Sequence, residues 1–174
     1  MAPKKFNYFS LFFVTLVALL IAQSTTIEAR KFIGVNRFCT TASHKKLCTN
    51  MVNGATNMHD ATQNAILATL GLAKRIQSMS HLIEPAIASL EPVSQVSIRS
   101  TCKDSFESTI DDLETSLQAL KDNDQGTLLT RLSASASSDC DDALQEFSVD
   151  NPLSKVTGHL AKEVDNCLAV VQQI

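Results

Sequence analysis

Residues 101–120 read TCKDSFESTIDDLETSLQAL. Phe106, Ile110, Leu113, Leu117 and Leu120 recur at alternating steps of four and three, which puts all five on one side of an α-helix. The residues between them are mostly Asp, Glu, Ser and Thr, so the opposite side faces water. The same rhythm continues in both directions. Leu129, Leu132, Ala136, Cys140, Ala143 and Phe147 form a second stripe, and Leu153, Val156, Leu160, Val164, Cys167 and Val171 a third. Upstream, Ala55, Met58, Thr62, Ala65, Thr69, Leu72, Ile76, Met79 and Ile83 form a fourth, which Gly71 weakens by about 1 kcal/mol.

Punctuation separates these segments. Asn53-Gly54 marks the start of the upstream helix, and Pro85 and Pro92 interrupt the chain behind it. Ser94 is the expected N-cap of the next helix. Asp122-Asn123-Asp124-Gln125-Gly126 is the strongest turn signal, and Asn151-Pro152 starts the last helix with Pro at its first position. Four helices with short connections predict an all-α fold, an up-and-down four-helix bundle. Residues 31–51 are too few for a fifth long helix and predict a short helical hairpin packed on one end. Absent Trp, one Tyr and five Gly leave little with which to build a β-sandwich or barrel.

The N-terminal stretch has a different character. Lys4 and Lys5 precede an apolar run of 14 residues, Phe9 to Ala22, broken by Ser10 and Thr15, with small residues at Ala22, Ser24 and Ala29. The run is short of the roughly 20 residues a membrane span needs, so it reads as a secretory signal. Cleavage falls after Ser24 or after Ala29, giving a signal peptide at 1–29 and a secreted domain at 30–174. Removing residues 1–29 takes two Lys and one Glu from 15 basic and 18 acidic residues, leaving 13 against 17 and a net charge of −4. That balance argues against nucleic acid as a partner. It is compatible with a cationic protein partner, and no membrane is expected to hold the chain once the signal is gone.

Export permits disulfides. Five cysteines allow fifteen arrangements of two bridges and one thiol. Cys39 and Cys48, with eight residues between them, suit a small closed loop. Two antiparallel helices bring residues level when their midpoint lies near the turn. The midpoint of Cys102 and Cys140 is residue 121, beside the Asp122–Gly126 turn, so a Cys102–Cys140 bridge is geometrically sensible. Cys167 lies on an apolar stripe and reads as a buried, inert free thiol.

No catalytic site is expected. His44, His59, His81 and His159 stand in no HExxH or HxH pattern, and no CxxC, GxSxG, Walker or GxGxxG motif occurs. His59-Asp60 and Glu84 read as structural residues. Ser133, Ser135, Ser137 and Ser138 have no positioned base and read as small residues for close helix contact. No metal or cofactor is expected. What stands out is acid: Asp104, Asp111, Asp112 and Glu114 after Cys102, and Asp139, Asp141 and Asp142 around Cys140. On a disulfide-braced helix pair these read either as a solvated acidic face or as a preformed anionic docking surface, which loses little entropy on binding.

In order and spacing, the signal, the close first cysteine pair, TCKDSFESTIDDLETSLQAL, LLTRLSASASSDCDDAL and VDNCLAVV resemble the plant invertase and pectin methylesterase inhibitor family. The resemblance implies a four-helix bundle with an N-terminal helical hairpin, first cysteine paired with second and third with fourth, and no cofactor. It implies a protein of the apoplast or cell wall, a monomer when free, that forms one-to-one complexes covering the active-site cleft of a pectin methylesterase or an acid invertase. Target-binding positions carry over to Asp104, Ser108, Asp111, Asp139 and Asp142. Ser108 replaces a frequent aspartate, Asp139 a frequent threonine, and Arg131 a frequent tryptophan or other large residue. The invertase branch often carries Pro-Lys-Phe between the last two helices. Here the residues are Asn151-Pro152-Leu153-Ser154-Lys155, so pectin methylesterase is the expected target. The alternatives are acid invertase and a secreted helical binding protein without inhibitory activity.

Overall fold

The 101–120 stripe is the middle of a longer helix. In the computed structural model, which describes residues 34–136 and 139–173, this helix runs over Pro92–Lys121. The expected N-cap, Ser94, lies inside it. Pro92 takes the first helical position, where its fixed φ fits and its missing N–H is no loss. The Gln95 amide then closes the preceding turn by donating to the Leu90 and Ala88 carbonyls at 2.8 and 3.3 Å.

In chain order the helices are α1 (Lys45–Met51), α2 (Met58–Ser78), α3 (Glu84–Ile87), α4 (Pro92–Lys121), α5 (Gln125–Ala134), α6 (Asp139–Glu146) and α7 (Ser154–Val171). The described residues contain no strand. α2 packs on α4 and α7, α4 on α5 and α6, and α5 on α7. The ring closes as a four-helix bundle whose third member is broken into α5 and α6. A 3₁₀ turn at Arg37–Cys39 and α1 form the N-terminal hairpin, which packs on α7 and α2. The signal segment expected at 1–29 lies outside the described residues.

Turn chemistry sets the connections. At the end of α4 the Asn123 N–H donates to the Leu120 carbonyl and the Asp124 N–H to the Ala119 carbonyl. Asn123 sits at φ 56, the left-handed conformation such an ending requires. Asp124 then caps α5, its carboxylate accepting from the Thr127 N–H at 3.0 Å and hydroxyl at 2.6 Å. These bonds hold the Asp124 carboxyl below its ordinary pKa, the Thr127 hydroxyl contributing most.

Two boundaries fall later than the sequence signals and one falls earlier. The turn around Asn53-Gly54, with Gly54 at φ 79, only precedes α2. The helix starts at Met58, where Asn57 accepts from the Asp60 N–H and donates back to the Asp60 carboxylate, both at 2.9 Å. α2 ends at Ser78, short of Ile83, and the Ser78 hydroxyl donates to the Arg75 carbonyl. Pro152 precedes α7 by two residues. Asn151 accepts the Leu153 N–H at 2.7 Å, forming a turn before the helix begins at Ser154.

The second stripe is also corrected. It does not run as one helix from Leu129 to Phe147. Ser133 and Ser135 hydroxyls bond the Leu129 and Leu132 carbonyls, both at 2.8 Å, and α5 stops at Ala134. The break changes the phase. Leu128, Leu132, Ser135, Cys140 and Leu144 are buried, whereas Ala136 and Phe147 are exposed.

Two apolar clusters fill the interior. One joins the N-terminal hairpin to α2, the C-terminal part of α4, α5 and the end of α7, and contains Cys39–Cys48. The other lies around α3, the first part of α4 and α6, and contains Cys102–Cys140. Each cluster therefore has its own covalent staple. Closing loops of 9 and 38 residues would stabilise the fold by about 3 and about 4 kcal/mol in the chain-entropy account.

Candidate functional site

Asp104, Ser108 and Asp111 stand four and three residues apart on α4, so they share one line of the helix, and all three are exposed. At about 100° per residue, Cys102 lies on the other side of α4 and holds α6 from behind. Asp139 and Asp142, three residues apart on the first turn of α6, are exposed as well. The five residues thus look outward from two neighbouring helices, and the Cys102–Cys140 bridge lies beneath them as a brace.

The acidic clusters read from the sequence divide in the fold. Asp112 turns inward, and its carboxylate, 6 % exposed, accepts from Arg131 Nη1 of α5 at 2.9 Å. Arg131 therefore joins α4 to α5. Asp141 turns toward α7, accepting from the Asn151 amide and from the Thr157 hydroxyl. Glu114 pairs with Lys74 of α2 at 2.7 Å. Asp112, Asp141 and Glu114 hold helices together, and Asp104, Asp111, Asp139 and Asp142 remain on the outer surface.

The other titratable residues have structural surroundings. Asp60 belongs to the cap of α2. Glu84 accepts two hydrogen bonds from Arg99 at 2.6 and 2.7 Å, which hold its carboxyl below the ordinary carboxylate value and raise the guanidinium. The Cys167 thiol is fully buried, and burial pushes its pKa up to about 12. Its sulfur lies 3.3 Å from the Thr69 hydroxyl of α2. Such a thiol is a packing element and not a nucleophile.

A basic feature that the acidic clusters overshadow was also legible. Lys155, His159 and Lys162 repeat at steps of four and three on α7, and His159 and Lys162 share a groove with Lys45 and Lys46 of α1. Asn166 on the same helix is completely buried. Its amide accepts the His44 N–H and donates to the His44 carbonyl, both at 3.3 Å, latching the N-terminal hairpin to α7. The VDNCL motif signals that position, though its partner cannot be read from spacing.

Among the solved structures similar to this chain are two helical bundles. A mutant form of a pectin methylesterase inhibitor from Arabidopsis superposes with a TM-score of 0.64 at 17 % identity, over 79 % of this chain and 95 % of that one. A pectin methylesterase inhibitor from Arabidopsis thaliana gives 0.54 at 18 %, over 73 % and 83 %. These identities establish the fold alone. Comparison with curated proteins gives no match. The family model for plant invertase/pectin methylesterase inhibitors matches residues 34–170, nearly the whole described region. With both disulfides, the bundle and the N-terminal hairpin in place, the chain belongs to the plant invertase/pectin methylesterase inhibitor family, a family of inhibitors and not of enzymes.

Proposed function

We propose that this chain is an exported inhibitor of pectin methylesterase that acts by one-to-one occlusion of the enzyme's active-site cleft. Residues 1–29 serve as the signal, residues 30–174 form the inhibitor domain, and the place of action is the apoplast and cell wall. The observation that carries the reading is the outward line Asp104–Ser108–Asp111 on α4, beside Asp139 and Asp142 of α6 and braced by Cys102–Cys140. A stiff surface loses little conformational entropy on docking, and its carboxylates can pair with cationic groups at the rim of a cleft. Choice of pectin methylesterase over invertase rests on Asn151-Pro152-Leu153-Ser154-Lys155 in place of Pro-Lys-Phe.

The test is titration of the purified secreted protein against plant pectin methylesterases and acid invertases side by side, at mildly acidic pH. Stoichiometric loss of esterase activity with invertase untouched is the expected result. Asp104→Lys combined with Asp111→Lys should weaken inhibition about tenfold or more, since each reversal replaces an attraction by a repulsion. Inhibition of invertase alone would move the assignment to the other branch. Binding to neither enzyme would remove the inhibitor reading.

A further inference from the structure

Lys155, His159 and Lys162 form one line along the outer side of α7. Beside His159 and Lys162, α1 contributes Lys45 and Lys46. Together with His44 and Asn50, residues of α1 and α7 line an open groove of about 480 Å³. Lys45, Lys46, Lys155 and Lys162 are all exposed, and among the described residues none of them has a carboxylate partner. Lys74, Lys103, Arg99 and Arg131 elsewhere are each paired. His159 is held by Glu163 at 3.3 Å. Three unneutralised ammonium groups line the groove, and Lys155 continues the line of Lys162 along α7, a local basic excess on a chain with net charge −3.

The shape of the cluster selects its ligand. Lys155 to Lys162 spans about 10 Å of helix, more than a small anion can bridge. No Phe, Tyr or Trp lines the groove, so it lacks the broad apolar ring face on which a neutral sugar stacks. Lysines act as flexible point charges without the planar fork of arginine. They suit a flexible polymer whose anionic groups recur along its length better than the fixed carboxylates of a folded protein. Hydrolysis of a methyl ester by water releases methanol and leaves a carboxylate, so an esterase acting on methylated polyuronate produces such a polymer. We propose that the α1–α7 groove binds a linear polyuronate, the carboxylated product of the target enzyme; this identification rests on the pectin methylesterase reading above. The inhibitor would then be retained where the enzyme has already worked, with its acidic α4–α6 face left for the enzyme.

Affinity electrophoresis of the secreted protein through gels holding polygalacturonate, highly methyl-esterified pectin or poly-glutamate tests this. Retardation by polygalacturonate is expected, weakening with added salt and absent with the esterified polymer. Lys46→Glu with Lys162→Glu should reduce it about tenfold, and Lys45→Glu with Lys155→Glu, which removes one groove lysine and the lysine that continues its line along α7, by a smaller factor in the same direction. Equal mobility in all gels, undiminished retardation of both variants, or stronger retardation by poly-glutamate would overturn the proposal, the last in favour of an acidic protein partner. Inhibition measured on a short methyl-esterified substrate separates the two readings. Both variants should inhibit like the unaltered protein, so lost retention with intact inhibition concerns the groove alone, and absent inhibition by the unaltered protein removes the target identification.

Discussion

Glu163 shows what burial does to a single side chain. It lies on α7 with Oε1 3.3 Å from His159 Nε2 and Oε2 without a hydrogen-bond partner. Burial raises its carboxyl above the ordinary value of 4.5, against the opposing pull of His159 and Arg75. A carboxyl whose folded-state pKa is raised stabilises the fold fully below its unfolded value, and that contribution is lost as pH rises through the folded value. Glu163→Gln should therefore flatten stability against pH, with the unaltered protein gaining relative to the variant on acidification. Urea melts between about pH 4 and 7 would check this, and a difference independent of pH would contradict it. Ser148 is a second case. It sits at φ 55 where α6 ends, with its N–H bonded to the Gln145 carbonyl and the Val149 N–H to the Leu144 carbonyl. Glycine adopts that conformation without the Cβ penalty, so Ser148→Gly should raise stability by about 0.5–1 kcal/mol in a denaturant melt.

Among the elements, α2 and α7 carry separate lessons. Gly71 is exposed in mid-helix on α2, and a Cβ there would meet nothing within 4 Å. Gly71→Ala should stabilise by about 0.5–1 kcal/mol, measured as a shift in the urea midpoint at unchanged slope. On α7, Asn166→Ala leaves the His44 N–H and carbonyl without their side-chain partner. A loss of about 2–3 kcal/mol is expected. Hydrogen exchange should place the loss first in α1 and the Arg37–Cys39 turn, and uniform loss across α4 would count against the latch. The α5–α6 break is the element that periodicity could not resolve. Leu129, Ala136, Ala143 and Phe147 fit a helical rhythm on paper, yet Leu128, Ser135 and Leu144 face the core. Serines that bond their own carbonyls end the helix, and the next one restarts in a different phase. A count of apolar spacing carries no information about a change of phase.

At the scale of the molecule the two disulfides divide the work. Cys39–Cys48 closes a short loop in one apolar cluster, and Cys102–Cys140 joins α4 to α6 in the other. Replacing Cys102 and Cys140 by Ser should cost about 4 kcal/mol and weaken inhibition as α6 loosens, whereas Cys39→Ser with Cys48→Ser should cost about 3 kcal/mol with inhibition less affected. Thermal melts paired with titration against the esterase would check both halves. Charge is likewise divided: acid on the outward sides of α4 and α6, unneutralised lysine along α1 and α7.

The sequence by itself determined the helical character, the order of the bundle members, the turn after α4 and the apolar stripe that carries Cys167, because each depends on residues within a few positions of one another. It also named the acidic residues of α4 and α6. Only the tertiary structure decided which of them are used inward. Asp112 and Asp104 are alike as residues of one helix, and the difference between them is Arg131, nineteen positions from Asp112 and adjacent in space. In the same way Asn166 acquires its role from His44, 122 residues away. Long-range partners neutralise or satisfy particular polar groups, and packing, not local spacing, chooses the partner.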